Sequence, residues 1–300
     1  MTRAALGALV ALALAGCGGG SKPPAPAQPA DETLQRDTRA GRLAYQQERP
    51  DEAIAQYRLA LVRAQARDDL PAIADLGYDL AVAELHANAP ARALGVARAT
   101  REELERRGAT PFPALLLAEA TALYRTAALE EADRLAAQVQ ATGDPAAAAR
   151  AGFLRGLMAD ERGDAAGLAA AAAALRPSGD PALQADQAEL AARLALRRDD
   201  GAAADAAAAR AVALRQEALD YRGVARALAL QGEAALRLGR PAAAADLFLR
   251  AGRSALAQGD AASGRPWLER ARAQGADPAV AQAAADLLAQ PAGAEHRAAD

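Results

Sequence analysis

The sequence predicts an all-α protein, an α-α superhelix of about six to seven helical hairpins. Helix-forming Ala, Leu, Arg, Gln and Glu dominate from Leu34 to Leu288, where no stretch has the alternating pattern of a strand. Helix breakers recur at intervals of about half a repeat. About a third of the 300 residues are alanine and 3% are aromatic, so the core must form between closely approaching helices.

The amino terminus has the features of a secretory leader. Arg3 makes a basic start, and the uncharged run of residues 4–15 is shorter than the ~20 residues of a membrane-spanning helix. Leu14-Ala15-Gly16-Cys17 resembles a bacterial lipobox, which implies cleavage before Cys17 and acylation of this thiol, the only one in the chain. The alternative is an ordinary leader with an incidental cysteine.

These signals divide the chain into four parts. We expect a signal peptide at 1–16, a lipidated Cys17 with a flexible Gly/Pro/Ala linker at 17–32, a helical repeat domain at 33–290 and a disordered tail at 291–300. Gly18 follows the cysteine where an Asp would favour the inner membrane. The expected location is therefore the outer membrane of a bacterial envelope, facing the periplasm.

Prolines mark the helix starts. Asp144-Pro145, Asp180-Pro181 and Asp277-Pro278 each place a capping carboxylate before a proline at the first helical position. Arg49-Pro50, Ala89-Pro90 and Arg240-Pro241 separate two helical stretches, as the bend inside a hairpin would.

Small residues recur at two positions of each predicted hairpin. Shortly after each bend comes a small or apolar residue, and twelve positions before it comes a Gly or Ala. The later set is Ala53, Ala93, Ala132, Leu168, Ala204 and Ala244, and the earlier set is Gly41, Ala81, Ala120, Gly156, Ala192 and Gly232.

Two copies of this repeat resemble the tetratricopeptide repeat. They are Gly232, Ala235, Gly239, Ala244, Phe248 and Ala251, and, nearly as well, Gly41, Ala44, Ala53, Tyr57 and Ala60. The resemblance implies that small residues let the two helices of a pair approach, while Phe248 or Tyr57 fills the gap to the next pair. Ala136, Ala172 and Ala208 stand where other copies have an aromatic, so a generic α-α superhelix remains the alternative. The Ala-rich segments 165–175 and 202–212 are expected to be tightly packed second helices.

The same resemblance predicts a partner-binding groove on the concave wall. Its aromatic and guanidinium side chains suit an extended or helical peptide that carries acidic groups. The alternative is that the aromatic rings fill gaps between helices and the arginines are solvated. The predicted groove residues are Arg42, Tyr45, Tyr78, His86, Tyr124, Arg125, Phe153, Arg193, Arg197 and Arg237.

Composition argues against most chemistry. Two His, one Cys and the single Lys22 leave no material for histidine triads or Cys/His metal sites, so we expect no enzyme, no cofactor and no metal. The net charge of −3 argues against a nucleic-acid partner. Trp267 is expected to pack in the core of the last repeat.

These observations predict a membrane-anchored periplasmic adaptor that binds other envelope proteins or peptides and contacts the bilayer through acylated Cys17. Envelope assembly and secretion or pilus biogenesis are the expected processes, by analogy with tetratricopeptide-repeat lipoproteins. Two alternatives remain: an accessory protein of cell-wall peptidoglycan enzymes, whose catalytic Glu-Ser motif this chain lacks, and a self-associating structural scaffold.

Overall fold

The computed structural model describes residues 30–175, 179–275 and 277–290, and the chain from Thr33 onward forms one compact unit. The leader, Cys17, the linker up to residue 29 and the tail 291–300 lie outside the described residues. The predictions made for those segments stay predictions.

The described ranges contain fourteen helices and no strand, which confirms the all-α prediction. The helices are α1 Glu32–Gln46, α2 Pro50–Ala66, α3 Leu70–His86, α4 Pro90–Arg106, α5 Pro113–Arg125, α6 Leu129–Gln140, α7 Pro145–Glu161, α8 Ala165–Ala174, α9 Pro181–Arg197, α10 Gly201–Glu217, α11 Tyr221–Arg237, α12 Pro241–Ala257, α13 Ala261–Gln274 and α14 Pro278–Ala289.

Short turns arrange the helices as seven consecutive pairs. Each helix packs mainly against its neighbours in the chain, as in a solenoid. The first helices of successive pairs also touch each other, α3 with α5, α5 with α7, α7 with α9 and α9 with α11. Among the described second helices only α12 and α14 make comparable contact. The odd-numbered helices therefore form the inner wall of a curved stack.

The helix starts follow the chemistry predicted from the prolines. Asp144, Asp180 and Asp277 accept hydrogen bonds from the backbone N–H groups of their first helical turns. Pro50, Pro90 and Pro241 begin second helices without a side-chain cap. Most helices end in a turn closed by a bond across five residues, such as Ala89 N–H to Glu84 O at 2.9 Å, next to a residue with positive φ.

The small residues lie at the contacts between helices. All twelve positions of the two predicted sets are buried. A Cβ added to Gly41 would lie 2.7 Å from the Tyr57 ring, and one added to Gly232 would lie 2.9 Å from the Phe248 ring. Each ring therefore packs against the glycine of its own pair. The Arg270 guanidinium of the next pair lies over the Phe248 ring, with its Cζ 4.3 Å from the ring centroid.

One expectation about packing is wrong. The segment 202–212 lies in α10, which buries five residues besides its first, but α8 buries Leu168 alone among its ten residues. The other residues of α8 are half-buried or exposed, although the helix lies close to α7, since a Cβ added to Gly156 would be 3.1 Å from the Ala171 Cβ. Within the described residues, no helix is both long enough and apolar enough to span a bilayer.

The close contacts give a matched pair of variants. We expect Gly232→Ala to lower stability by about 1 kcal/mol, because overpacking against Phe248 costs about 1–3 kcal/mol and the helix propensity of alanine returns about 1 kcal/mol. Gly95, on the exposed side of α4, has no atom within 4 Å of an added Cβ, so Gly95→Ala should raise stability by about 1 kcal/mol. Thermal unfolding followed by circular dichroism measures both, and equal shifts would contradict the packing described here.

Candidate functional site

The inner helices enclose two adjoining cavities of about 730 Å³ and about 480 Å³, which we call the central channel. Side chains from α5, α7, α9, α11 and α13 form most of its wall. Five residues line both cavities and so mark the place where they meet. These are Tyr124, Glu161, Arg226, Ser263 and Trp267.

Aromatic side chains give the channel its apolar surface. Trp267 packs against the C-terminal core cluster and also faces both cavities, so the core position predicted for it holds for part of its surface. The Tyr124 hydroxyl donates to Glu161 Oε1 at 2.5 Å, and burial followed by the nearby Glu161 raises the pKa of Tyr124. Phe153 lies under the Arg215 guanidinium, 5.4 Å from ring centroid to Cζ. Each ring is therefore held by a second contact.

A buried carboxylate joins three helices beneath this wall. Glu189 is fully buried and accepts from Arg193 Nη2 at 3.1 Å, Arg215 Nη2 at 2.9 Å and Arg226 Nε at 2.9 Å. Burial alone would raise the pKa of Glu189, but the charges of Arg226 and Arg193 outweigh it and hold this pKa far below its usual value. The cluster fixes α9, α10 and α11 relative to one another.

A second buried carboxylate lines the larger cavity. Asp186 Oδ1 accepts from Arg215 Nη2 at 2.7 Å, while Oδ2 has no hydrogen bond and lies 4.0 Å from Arg150 Nε. Burial raises the pKa of Asp186 despite the charges of Arg215 and Arg150.

Six of the ten predicted groove residues line the channel. They are Tyr124, Arg125, Phe153, Arg193, Arg197 and Arg237. Most of these arginines already bind carboxylates of this chain, since Arg193 and Arg197 both bind Asp160 and Arg237 binds Asp199. Their role in partner binding stays a prediction.

The other four predicted residues lie near the N-terminal end, outside both cavities. Arg42 Nε is 3.5 Å from Asp79 Oδ2. Tyr45 meets His86 edge-on with ring centroids 5.3 Å apart, and Tyr78 meets Phe112 in the same way at 5.6 Å. Burial and the positive charge of Arg222 lower the pKa of His86.

Many of these polar contacts join residues 37 positions apart, about one repeat. Tyr124 to Glu161, Arg197 to Asp160 and Arg226 to Glu189 all have this separation. Each contact links a first helix to the next first helix along the inner wall. An acid that lies one repeat away from an Arg or a Tyr therefore marks such a contact in the sequence, and the prediction of groove arginines did not take this spacing into account.

The channel is closed on one side by a contact between distant repeats, which we call the junction. Asn88, with φ 56° in the turn after α3, accepts through Oδ1 from Arg125 and from Arg222 Nη1, the latter at 3.2 Å. Its Nδ2 donates to Gly259 O at 2.5 Å. Asn88 and Arg222 are 134 positions apart, so the stack of pairs curves back on itself here.

The sequence prediction missed the junction residues Asn88 and Arg222, and also Arg226, Asp186 and Glu189.

Within the described residues, no group of three or more His, Cys, Asp or Glu side chains could hold a metal ion.

A solved structure has a similar fold. A tetratricopeptide repeat protein from Parabacteroides merdae superimposes with a TM-score of 0.51 at 13% identity, over 87% of this chain and all of that one. The chain has a tetratricopeptide-repeat-like fold. The TPR2AB domain of yeast Sti1 in its pHSP90 complex matches at 17% identity over 85% of this chain and 95% of that one, with a TM-score of 0.35. No protein-family model matches the sequence, and no curated protein matches it either.

The buried carboxylate cluster gives a pH-dependent prediction. We expect Glu189→Gln to lower stability at pH 7 by about 3–5 kcal/mol, because three guanidiniums lose their shared counter-charge. Since folding depresses the pKa of Glu189, its contribution is fully present above the unfolded pKa of about 4.3 and is lost progressively as the pH falls from there toward the pKa of the folded state. Thermal unfolding of wild type and variant should therefore converge in acid.

The control for this experiment is Glu131→Gln. Glu131 Oε1 binds Arg98 at 2.7 Å with both side chains well exposed, so its loss should change stability by less than about 0.5 kcal/mol. A constant difference between wild type and Glu189→Gln from pH 7 to pH 3 would contradict the electrostatic role of Glu189.

Proposed function

We propose that this protein is an interaction scaffold whose central channel binds segments of partner proteins. The observation that carries the proposal is the channel itself, a concave inner wall with three half-buried or buried aromatic rings and a rim of guanidiniums. A tetratricopeptide-repeat-like fold supports a protein-binding role.

The wall suits a peptide more than a flat protein surface. Tyr124, Phe153 and Trp267 provide apolar contact area at small entropic cost, since each ring is already held by a neighbour. The larger cavity, at about 730 Å³, has room for several side chains of an extended or helical segment.

Binding, and not catalysis, is the function we propose for this channel. Glu189, which lies beneath the wall, is bound to three arginines, and Asp160, which lines the smaller cavity, is bound to two. Such pairs stiffen the wall and leave those groups engaged with one another instead of with a reacting molecule.

We also propose that the scaffold acts in a bacterial envelope, anchored by acyl chains on Cys17 and facing the periplasm from the outer membrane. The lipobox-like Leu14-Ala15-Gly16-Cys17 and the absence of a second cysteine support this. Envelope assembly, or secretion or pilus biogenesis, is the process proposed, and its partners would be envelope proteins.

Site-specific photo-crosslinking tests the channel. A diazirine residue replaces Ala262, which is exposed and lines the larger cavity, or, as the control, Val62, which is 65% exposed on α2. In the producing cell we expect adducts with one or a few proteins from position 262 and none of these from position 62. Mass spectrometry of the adducts identifies the partners.

Two outcomes of this experiment contradict the proposal. Equal adducts from both positions would indicate binding outside the channel, and adducts of the chain with itself from position 62 alone would favour a self-associating scaffold. Partners that are peptidoglycan enzymes would assign the process to the cell wall instead of secretion or pilus biogenesis.

Metabolic labelling tests the anchor. An alkynyl fatty acid should label the wild-type protein and leave Cys17→Ser unlabelled, because Cys17 is the only thiol. Membrane fractions should hold the wild type, and the variant should be released in soluble form. Label that survives Cys17→Ser would overturn the lipid assignment.

A further inference from the structure

The junction brings two guanidiniums to one neutral acceptor. Arg125 and Arg222 both donate to Asn88 Oδ1, so their charged groups lie side by side. Their remaining hydrogen bonds go to backbone carbonyls: Arg125 Nη1 donates to Leu85 O at 2.7 Å, and Arg222 Nη2 donates to His86 O at 3.3 Å and to Gln258 O at 3.5 Å. Among the described residues no carboxylate forms an ion pair with Arg125, whereas each of the other predicted groove arginines has one.

The two acids near this pair each have a second role in the structure, and only Asp260 forms an ion pair with it among the described residues. Asp260 Oδ2 is 3.6 Å from Arg222 Nη1, while its Oδ1 caps α13 by accepting from Ser263 N–H at 3.2 Å. Asp220 binds Arg215 at 2.9 Å and caps α11. The nearby Arg226 is already paired with Glu189. Two guanidiniums therefore share one long contact with a carboxylate.

The pKa values of Arg125 and Arg222 reflect the small number of carboxylates near them. Burial, and after it the charges of Arg222 and Arg226, lower the pKa of Arg125 to about 10. Burial and the charge of Arg226 lower the pKa of Arg222, although Asp260 acts in the opposite direction. A guanidinium whose pKa is lowered by burial and by a neighbouring positive charge is stabilised by a bound anion.

We propose that Arg125 and Arg222 form an oxyanion-binding site at the junction, occupied by a carboxylate of the partner segment bound in the channel. Both arginines and Asn88 line the larger cavity, and the Arg222 side chain keeps 23% of its surface exposed. Guanidiniums bind carboxylate and phosphate oxygens through paired N–H groups. The source of the anion rests on the proposed function, whereas the site belongs to this chain alone.

Occupation of this site would also lock the curved stack. Arg125 lies at the end of α5 and Arg222 at the start of α11, so one anion between them ties distant repeats together. Binding of the anion and closure of the junction then favour each other, since a coupling free energy acts in both directions.

Thermal unfolding with small anions tests the site directly. The purified full chain is heated with inorganic phosphate or with succinate, at an ionic strength kept constant with chloride. We expect Tm to rise by roughly 2–4 °C with succinate at saturation. Arg125→Gln and Arg222→Gln should lose this response, while Arg250→Gln, an exposed arginine of α12 paired with Asp246 and outside the channel, should keep it.

Amide hydrogen exchange gives an independent readout. In the wild type, succinate should slow exchange in the turns at residues 86–89 and 258–260 more than in the turn at 67–69, which lies away from the junction. Circular dichroism shows whether each variant is folded before the anion is added. Arg125→Lys keeps the positive charge but loses the planar guanidinium with its paired N–H groups, so this variant should give a smaller response than the wild type.

Each outcome decides the proposal. No Tm rise in the wild type, or an equal rise in the Arg125→Gln and Arg222→Gln variants, overturns the oxyanion site. A rise with phosphate but not with succinate overturns the carboxylate assignment and favours a phosphoryl group. Because small anions need no partner, failure here leaves the photo-crosslinking result unaffected, and failure of the crosslinking leaves the anion response unaffected.

Discussion

Close approach of helices at small residues is the constraint on which the rest of the structure depends. Gly41 and Gly232 leave no room for a methyl group beneath Tyr57 and Phe248. Ala81, Ala120 and Ala192 are fully buried at the corresponding positions of other pairs. Alanine contacts bury little apolar area each, so stability comes from their repetition along seven pairs and not from one large core.

Charge pairs fix the relative positions of the helices, which alanine contacts alone would leave poorly defined. On the inner wall the partners lie about one repeat apart, as for Arg226 and Glu189, and each pair fixes one first helix against the next. Buried ion pairs contribute little net stability but penalise alternative arrangements, since a shifted helix leaves a buried charge alone. The same pairs neutralise most of the charged groups of the channel. The two guanidiniums at the junction differ, because they have fewer carboxylates near them than positive charges.

Features set by local chemistry could be predicted from the sequence. The Asp-Pro and X-Pro helix starts and the buried Gly and Ala positions of both helices depend on residues close in the chain, and the structure contains all of them. The sequence did not predict that α8 buries fewer residues than α10, because a run of alanines does not indicate whether a helix is buried or exposed.

Features set by curvature could not be predicted. Asn88 meets Arg222 and Gly259 only because the rotations from each helix pair to the next add up along the stack. No local pattern marks those residues. The same curvature places Tyr124 in the channel and leaves Tyr45 and Tyr78 outside it, although all three lie on first helices.

The closed curvature is most directly tested by the distance between spin labels at Ala91, near the start of α4, and Ala257, at the end of α12, in a Cys17→Ser background. Both residues are exposed and flank the junction without forming its hydrogen bonds. Because Asn88 meets Gly259 in the closed stack, we expect pulsed electron resonance to give one narrow distribution of short distances. A broad distribution, or one at long distances, would show that the two ends of the inner wall do not meet and would contradict the closed curvature.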